Sequence, residues 1–254
     1  MSWAARRRFF ILLIIGAMVV AFLTVVAIST LYETPSCSDG TQNQGEMGLD
    51  CGGSCAYLCT NQQLQPTVLF TKTLQNISGR IDVIAEIENK NANSATKNVP
   101  YKIELYDSNQ KLLKESRGFI DLPPGAKVPV YVPGMFTDKQ AVTHAFLTFE
   151  SELIKWFAMN ASIRNVPTVS TIVQSGTADS PRIEATLINN GLISFDNVST
   201  IVFVHDANGN IIAASQTIVR NVPAQGSASA VFTWNTAFTS SPSLIEVLPI
   251  IPLL

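Results

Sequence analysis

The chain has 254 residues, of which 46% are hydrophobic and 14% are charged. With 17 basic and 19 acidic residues, it is too apolar for a disordered protein and too close to neutral for a nucleic-acid binder. A mean hydropathy of +0.23 suggests a membrane segment, and the length allows one large or two modest domains.

The N-terminus carries a candidate membrane anchor. Three arginines, Arg6 to Arg8, precede an apolar run from Phe9 to Leu31 that contains no charge. As a helix this run is about 34 Å long, which is enough to cross a bilayer. We predict a transmembrane helix over 9–31 with residues 1–8 in the cytoplasm, because basic residues favour that side. The alternative is a cleavable signal peptide, since Ala27 to Ser29 resembles a small-x-small cleavage site.

Residues 32–60 form a spacer that contains all four cysteines of the chain. An even number of cysteines outside the cytoplasm predicts two disulfides, with three pairings open. Zinc is the alternative, but the last three cysteines are four residues apart and no histidine lies nearby. The cysteines are Cys37, Cys51, Cys55 and Cys59.

Four oxygen-bearing side chains in the same spacer are spaced by four, three and four residues with glycines between them: Asp39, Asn43, Glu46 and Asp50. This set suits calcium, which takes six to eight oxygen ligands. The alternative is that they cap turns. The sequence predicts no cofactor other than this calcium. The segment 37–59 resembles the short Cys-x-Asp-Gly…Asp-Cys-Gly-Gly-x-Cys segments of bacterial and archaeal surface proteins, which implies an extracytoplasmic spacer.

The rest of the chain contains an internal repeat of about 100 residues, with offsets between 99 and 102. We therefore predict two copies of one domain, over 61–163 and 164–254. The matched segments are Pro66-Thr67-Val68 with Pro167-Thr168-Val169, Arg80-Ile81-Asp82 with Arg182-Ile183-Glu184, Asn98-Val99 with Asn197-Val198, Asp107 with Asp206, and Pro123 with Pro223.

Each copy shows the period-two alternation of half-buried strands. The predicted inner-face residues are Ile81, Val83, Ala85, Ile87, Val99, Tyr101, Ile103 and Leu105 in the first copy and Ile183, Ala185, Leu187, Val198, Thr200, Val202 and Val204 in the second. Short strands at this spacing predict an all-β fold of two tandem Ig-like antiparallel β-sandwiches, each with seven strands.

The first copy resembles a known family of extracytoplasmic Ig-like domains. It reads Ile81 to Asn89, then Asn98 to Asp107, then Leu122 to Gly125, and Ile103-Glu-Leu-Tyr-Asp107 stands where the FxLYD family has Phe-x-Leu-Tyr-Asp. The second copy keeps only Asp206 of that motif, in Val202-Phe-Val-His-Asp206. The resemblance implies a general-purpose module on a membrane-anchored protein, with no catalytic residues.

The residues that could support catalysis are few. His144 and His205 are the only histidines, and both are predicted at strand ends on the surface. No nucleophile elbow, His-x-x-x-His pair or phosphate-binding glycine loop occurs, so we predict that the protein is not an enzyme. Trp156 and Phe157 are predicted to pack between the two domains, with a ligand platform as the alternative.

Three Asn-x-Ser triplets, at Asn76, Asn160 and Asn197, are candidate glycosylation sites. From Glu33 onward the charge is about −5, because removing three arginines leaves 14 basic against 19 acidic residues. This disfavours nucleic acid as a partner. The sequence predicts a single-pass protein of the cell membrane that presents two Ig-like domains for binding or spacing, with an envelope protein or glycan as partner. The alternative is an accessory subunit of a membrane-embedded secretion or transport complex.

Overall fold

A computed structural model describes residues 3–31, 36–43, 45–75, 80–136, 142–150, 154–160 and 165–253. The chain divides into two compact units, residues 1–55 and 56–254, and each is described by itself.

The first unit begins with a single long helix, α1 (Trp3–Leu31). Its segment Arg6–Ser29 has a mean hydropathy of 3.1 and is long enough to cross a bilayer. The aliphatic side chains of this segment are exposed all around the helix, so they have no protein core to enter. The predicted apolar helix is therefore confirmed, as a membrane anchor or a signal sequence.

The first sandwich has seven described strands, as predicted. One sheet has the order β1-β2-β5, and the other has the order β4-β3-β6, with the short strand β7 also paired to β3. All pairings are antiparallel. The strands are β1 (Thr67–Gln75), β2 (Ile81–Glu88), β3 (Ser94–Tyr106), β4 (Leu112–Leu122), β5 (Lys127–Phe136), β6 (His144–Phe149) and β7 (Trp156–Ala158).

The second sandwich has six strands within 165–253, one fewer than predicted. Its sheets have the orders β12-β9-β8 and β11-β10-β13. No described strand of this sandwich corresponds to β7, which in the first sandwich follows β6 along the same side of β3. The strands are β8 (Thr168–Thr177), β9 (Ser180–Asn189), β10 (Phe195–His205), β11 (Ile211–Val222), β12 (Gly226–Thr233) and β13 (Leu244–Ile250).

Each sandwich has its own apolar core between its two sheets. The first is built around the buried side chains of Val83, Ile103 and Trp156, and the second around Leu187, Val202 and Phe232. Most of the predicted inner-face residues lie in these cores, so the fold class of two antiparallel sandwiches is confirmed. The burial of Trp156 corrects one expectation: its indole lies in the first core, where β7 pairs with β3, and not between the domains.

A third apolar cluster joins the two sandwiches. It contains Ile84 on the outer face of β2, and Ile201 and Phe203 on the outer face of β10. Phe70 of β1 meets Phe203 edge to face, with ring centroids 6.3 Å apart. Strand β2 is consequently buried on both faces, and residues 56–254 form one compact unit. The proposed boundaries at 61, 163 and 164 stay predictions.

The two sandwiches repeat the same hydrogen bonds at equivalent positions. The fully buried Asn89, just after β2, donates its amide to the carbonyls of Ser94, Leu122 and Pro123. Asn189, at the end of β9, donates to those of Ile193, Val222 and Pro223. Satisfying several carbonyls with one buried amide fixes the corner of each sandwich.

The turn after β3 is also matched by the turn after β10. Asp107 accepts the backbone N–H groups of Asn109 and Lys111, and Asp206 accepts those of Asn208 and Asn210. This side-chain acceptor replaces the missing backbone partners of a tight turn. The two asparagines are 100 residues apart and the two aspartates are 99 apart. The sequence match of Arg80 with Arg182, at 102 residues, is therefore shifted by two residues from the structural register. A shift of two is easily mistaken for the true register, because side-chain direction along a strand repeats every two residues.

Candidate binding cleft between the sandwiches

A buried carboxylate organises the end of strand β2. Asp82 is 9% exposed and lies on the outer face of the strand. Its Oδ1 accepts hydrogen bonds from Arg80 Nε at 3.0 Å and from the backbone N–H of Gly134 at 2.6 Å, and its Oδ2 accepts one from the Tyr131 hydroxyl at 2.9 Å. Three donors on one carboxylate compensate its loss of water.

The backbone at Gly134 makes room for this arrangement. Gly134 has a φ of +60°, and a Cβ there would lie 3.2 Å from Arg80 Nε. A glycine thus allows the guanidinium to approach the backbone of β5 closely. The side chain of Arg80 remains 45% exposed, so its outer edge faces solvent while its Nε is held by Asp82.

The electrostatics of the cluster follow from its burial. Burial raises the pKa of Tyr131, and the neighbouring charge of Asp82 raises it further. The pKa of Arg80 is also raised, chiefly by its hydrogen bond to Asp82. Over the physiological range the cluster therefore holds a neutral phenol and a charged guanidinium.

This cluster forms one wall of a cleft between the sandwiches. The cleft has a volume of about 360 Å³, within the usual range for small-ligand pockets. Its opposite wall comes from the second sandwich and includes Ala214, Trp234 and Phe238. Trp234 meets Phe238 edge to face at 5.1 Å and donates its indole N–H to the carbonyl of Ala214 at 3.3 Å. The cleft combines a fixed cation, hydroxyl groups and aromatic faces, which can hold a polar ligand.

The two histidines lie at strand ends, as predicted, but the side chain of His205 is only 15% exposed, so the predicted surface position is correct for His144 alone. His144 begins β6 and is exposed. His205 ends β10, where its Nε2 lies 3.5 Å from Glu246 Oε2 and its Nδ1 lies 3.4 Å from the carbonyl oxygen of Gly209.

In the cysteine-rich spacer, the predicted disulfides are confirmed. All four cysteines are disulfide-bonded, and Cys37 is paired with Cys55. Glu46 Oε1 lies 3.1 Å from Cys55 Sγ, but a disulfide sulfur has neither a proton to donate nor a thiolate to offer a metal. The sulfurs near Glu46 are therefore not zinc ligands.

The four predicted calcium ligands lie in one loop of the first unit, and three of them accept backbone N–H groups. Asp39 accepts those of Thr41 and Ser36, Asp50 accepts that of Gly40, and Glu46 accepts that of Asp50. Hydrogen bonds from the side chains of Asn43 and then Thr41 hold the pKa of Asp39 well below its ordinary value. These contacts are those of turn formers, and calcium binding stays a prediction.

The candidate glycosylation sites differ in what the structure describes. Asn160 and Asn197 are exposed, and Asn197 has a φ of +53°. Asn76 lies outside the described residues.

Sequence reasoning missed the cleft. In the sequence, Arg80 and Asp82 stand out only as members of the internal repeat, and no pattern marks Tyr131. One signal was available: Asp82 and Ile84 share the outer face of β2, and an apolar residue there indicates that a second surface covers that face.

Comparisons with known proteins add no family. No protein-family model matches the chain, and no curated protein matches it. Among solved structures, the chain is similar to a transglutaminase of red sea bream at 13% identity and a TM-score of 0.26. The match covers 74% of this chain and 30% of that chain, and a likeness this slight carries no functional argument.

Proposed function

We propose that this protein is a single-pass protein of the cell envelope that presents two Ig-like domains outside the membrane for binding or spacing. The observation that carries the proposal is the helix over Arg6–Ser29, whose apolar side chains are exposed, in a chain whose described strands all belong to two antiparallel sandwiches. The arginines before the helix favour a cytoplasmic N-terminus, so the disulfide-bonded spacer and both sandwiches lie outside. Disulfides are stable in that oxidising compartment.

We further propose that the two sandwiches are diverged copies of one domain, of which the first is an FxLYD-like module. The matching bonds of Asn89 and Asn189, and of Asp107 and Asp206, support the duplication.

The cleft beside Arg80 is the place where we propose that an envelope protein or glycan binds. Its guanidinium is oriented by Asp82 and open to solvent, and Trp234 offers an aromatic face. Binding pockets combine a few fixed polar groups with apolar walls in this way.

Topology is tested by protease added outside spheroplasts. Every part beyond residue 32 should be digested, while a tag fused before Met1 should be protected. Protection of the second sandwich would overturn the proposed orientation, and a mature protein that begins near Thr30 would show that the helix is a cleaved signal peptide.

Binding at the cleft is tested by Arg80→Met in crosslinking from intact cells. The matched control is Arg182→Met, since Arg182 also pairs with an acid two residues later, Glu184, at 3.1 Å but on an open sheet face. Loss of crosslinked adducts in the first variant alone supports the cleft. Equal adducts in both variants would place binding elsewhere.

Calcium in the spacer remains part of the proposal. With the four ligands Asp39, Asn43, Glu46 and Asp50 in place, a chelator should speed proteolysis of residues 37–59 and leave both sandwiches folded. Unchanged proteolysis would leave these residues as turn formers.

A further inference from the structure

Strand β8 is the edge strand of the second sandwich that differs most from the other edges of the molecule. The order β12-β9-β8 leaves its outer edge without a hydrogen-bonded strand among the described residues. Nine of its ten residues are exposed, including Ile172 at 38% and Val173 at 51%. An open edge presents a row of backbone N–H and C=O groups that can pair with another strand.

Five of the other edge strands carry the residues that usually prevent such pairing. Lys72 lies in β1, Arg117 in β4 and Arg220 in β11, while β5 and β13 contain prolines. Charged side chains and prolines on an edge oppose the approach of another strand.

Two shorter edges also lack charge, but they are covered. Strand β6 packs beside β1 and β12 beside β11, in each case more extensively than β8 packs beside β13. By contrast, 14 consecutive residues around β8, from Asn165 to Ala178, contain no charge. Strand β8 is therefore the longest edge in the described part of the chain that is both uncharged and largely exposed.

We propose that β8 pairs antiparallel with β8 of a second copy of this chain. The two three-stranded sheets would then form one continuous sheet with the order β12-β9-β8-β8-β9-β12. Such an interface is isologous and closes on itself, because each copy contributes the same strand and no open β8 edge remains.

The chemistry of the strand favours a second copy as its partner. Like charges directly opposite each other destabilise a strand pair, and β8 has no charge to oppose itself in any register. Ile172 and Val173 at its centre are β-branched and lie on opposite faces of the sheet, so a pair centred on either one places a β-branched side chain opposite its own copy, which suits cross-strand pairs.

Confinement to a membrane strengthens this pairing. This step rests on the proposed function, because a single-pass anchor holds copies in one plane and raises their effective concentration. An edge contact that is weak in solution can be populated under that condition.

The test compares two lysine substitutions in the full chain, purified in detergent micelles. Val173→Lys places a charge on the free edge, while Thr186→Lys places the same charge on the outer face of the central strand β9. Thr186 is partly exposed and does not lie at the edge. Sedimentation should give a mass of two copies for the native chain and for Thr186→Lys, and of one copy for Val173→Lys.

A second measurement locates the contact in membranes. All four native cysteines are disulfide-bonded, so single cysteines placed at 170–175 supply the reactive thiols. Crosslinking between copies should peak within β8 and disappear when Val173→Lys is added, while circular dichroism remains unchanged.

Three results would overturn the proposal: a native chain that remains a single copy in both measurements, a dimer that survives Val173→Lys, or crosslinks only to other proteins. The last result would assign the edge to a strand of a different partner. Membrane insertion is measured separately by alkaline extraction. A chain that resists extraction but does not dimerise would overturn this proposal without contradicting the proposed function.

Discussion

Sheet β1-β2-β5 of the first sandwich is equivalent to sheet β12-β9-β8 of the second. Their outer faces differ, because one is covered by protein and the other is exposed to solvent. The first presents Phe70, Ile84 and Tyr131 and is covered by the second sandwich. The second presents Arg182, Glu184 and Ser229 at the surface, where Glu184 accepts hydrogen bonds from the other two side chains. The inner faces are alike, so the outer face alone decides whether a sandwich docks against a neighbour or ends the array.

The largest effect should come from removing the second sandwich. A fragment of residues 56–163 carrying Cys59→Ser should still melt cooperatively, because it contains its own apolar core. It begins at 56 to keep the backbone hydrogen bond from the N–H of Leu58 to the carbonyl of Trp156. The melting temperature of this fragment should be much lower than that of residues 56–254, since each large apolar side chain that the second sandwich no longer covers loses about 1.5 to 3 kcal/mol of burial free energy.

The control for that experiment is the hydrophobic dye ANS. The isolated first half should bind it through the exposed Ile84 and Phe70, whereas residues 56–254 should not. Absence of any cooperative transition in the half would show that the two sandwiches are one folding unit.

A single substitution tests the covered face directly. Ile84→Asp should lower the free energy of unfolding by on the order of 4 kcal/mol, because it places an unpaired charge where no solvent reaches. Thr186→Asp, on the outer face of β9, should cost less than about 0.5 kcal/mol. Urea denaturation of both variants measures the difference, and equal losses would contradict a covered face on one side alone.

The sequence was sufficient for the apolar helix, the disulfides and most of the inner faces, because charge-free length, cysteine content and period-two alternation are local signals. It was insufficient for the docking of the sandwiches. Ile84, Ile201 and Phe203 break the polar pattern of their outer faces, but nothing local shows that they meet one another. Trp156 was assigned to the wrong surface because β7 has only three residues, too few to show a period.

The shared features of the two sandwiches should respond equally to mutation. Asn89→Ala and Asn189→Ala should each cost on the order of 2 kcal/mol, since each removes the donor of several buried carbonyls. Asn109→Ala is the control, because its exposed side chain leaves the backbone bond to Asp107 intact. Denaturant midpoints measure all three, and a large loss in only one sandwich would show that the two corners are not equivalent.

The smallest expected effect is a difference in the pH dependence of stability between two carboxylates, Glu86 on the outer face of β2 and Glu184 on the outer face of β9. Burial raises the pKa of Glu86, with a contribution from the charge of Glu246 that Lys127 opposes. Hydrogen bonds from Ser229 and then Arg182 lower the pKa of Glu184.

These shifts have opposite consequences for stability. A carboxyl whose pKa is raised by folding contributes stability in acid, which is lost as the pH rises through the folded-state pKa. A carboxyl whose pKa is lowered contributes stability above its unfolded-state pKa, which is lost as the pH falls. Relative to the native chain, Glu86→Gln should therefore gain stability between about pH 4 and pH 7, while Glu184→Gln should lose a little over the same range. Denaturation midpoints at several pH values measure both slopes. Slopes of the same sign would mean that the face around Glu86 is as open to water as the face around Glu184, and that the second sandwich does not cover it in solution.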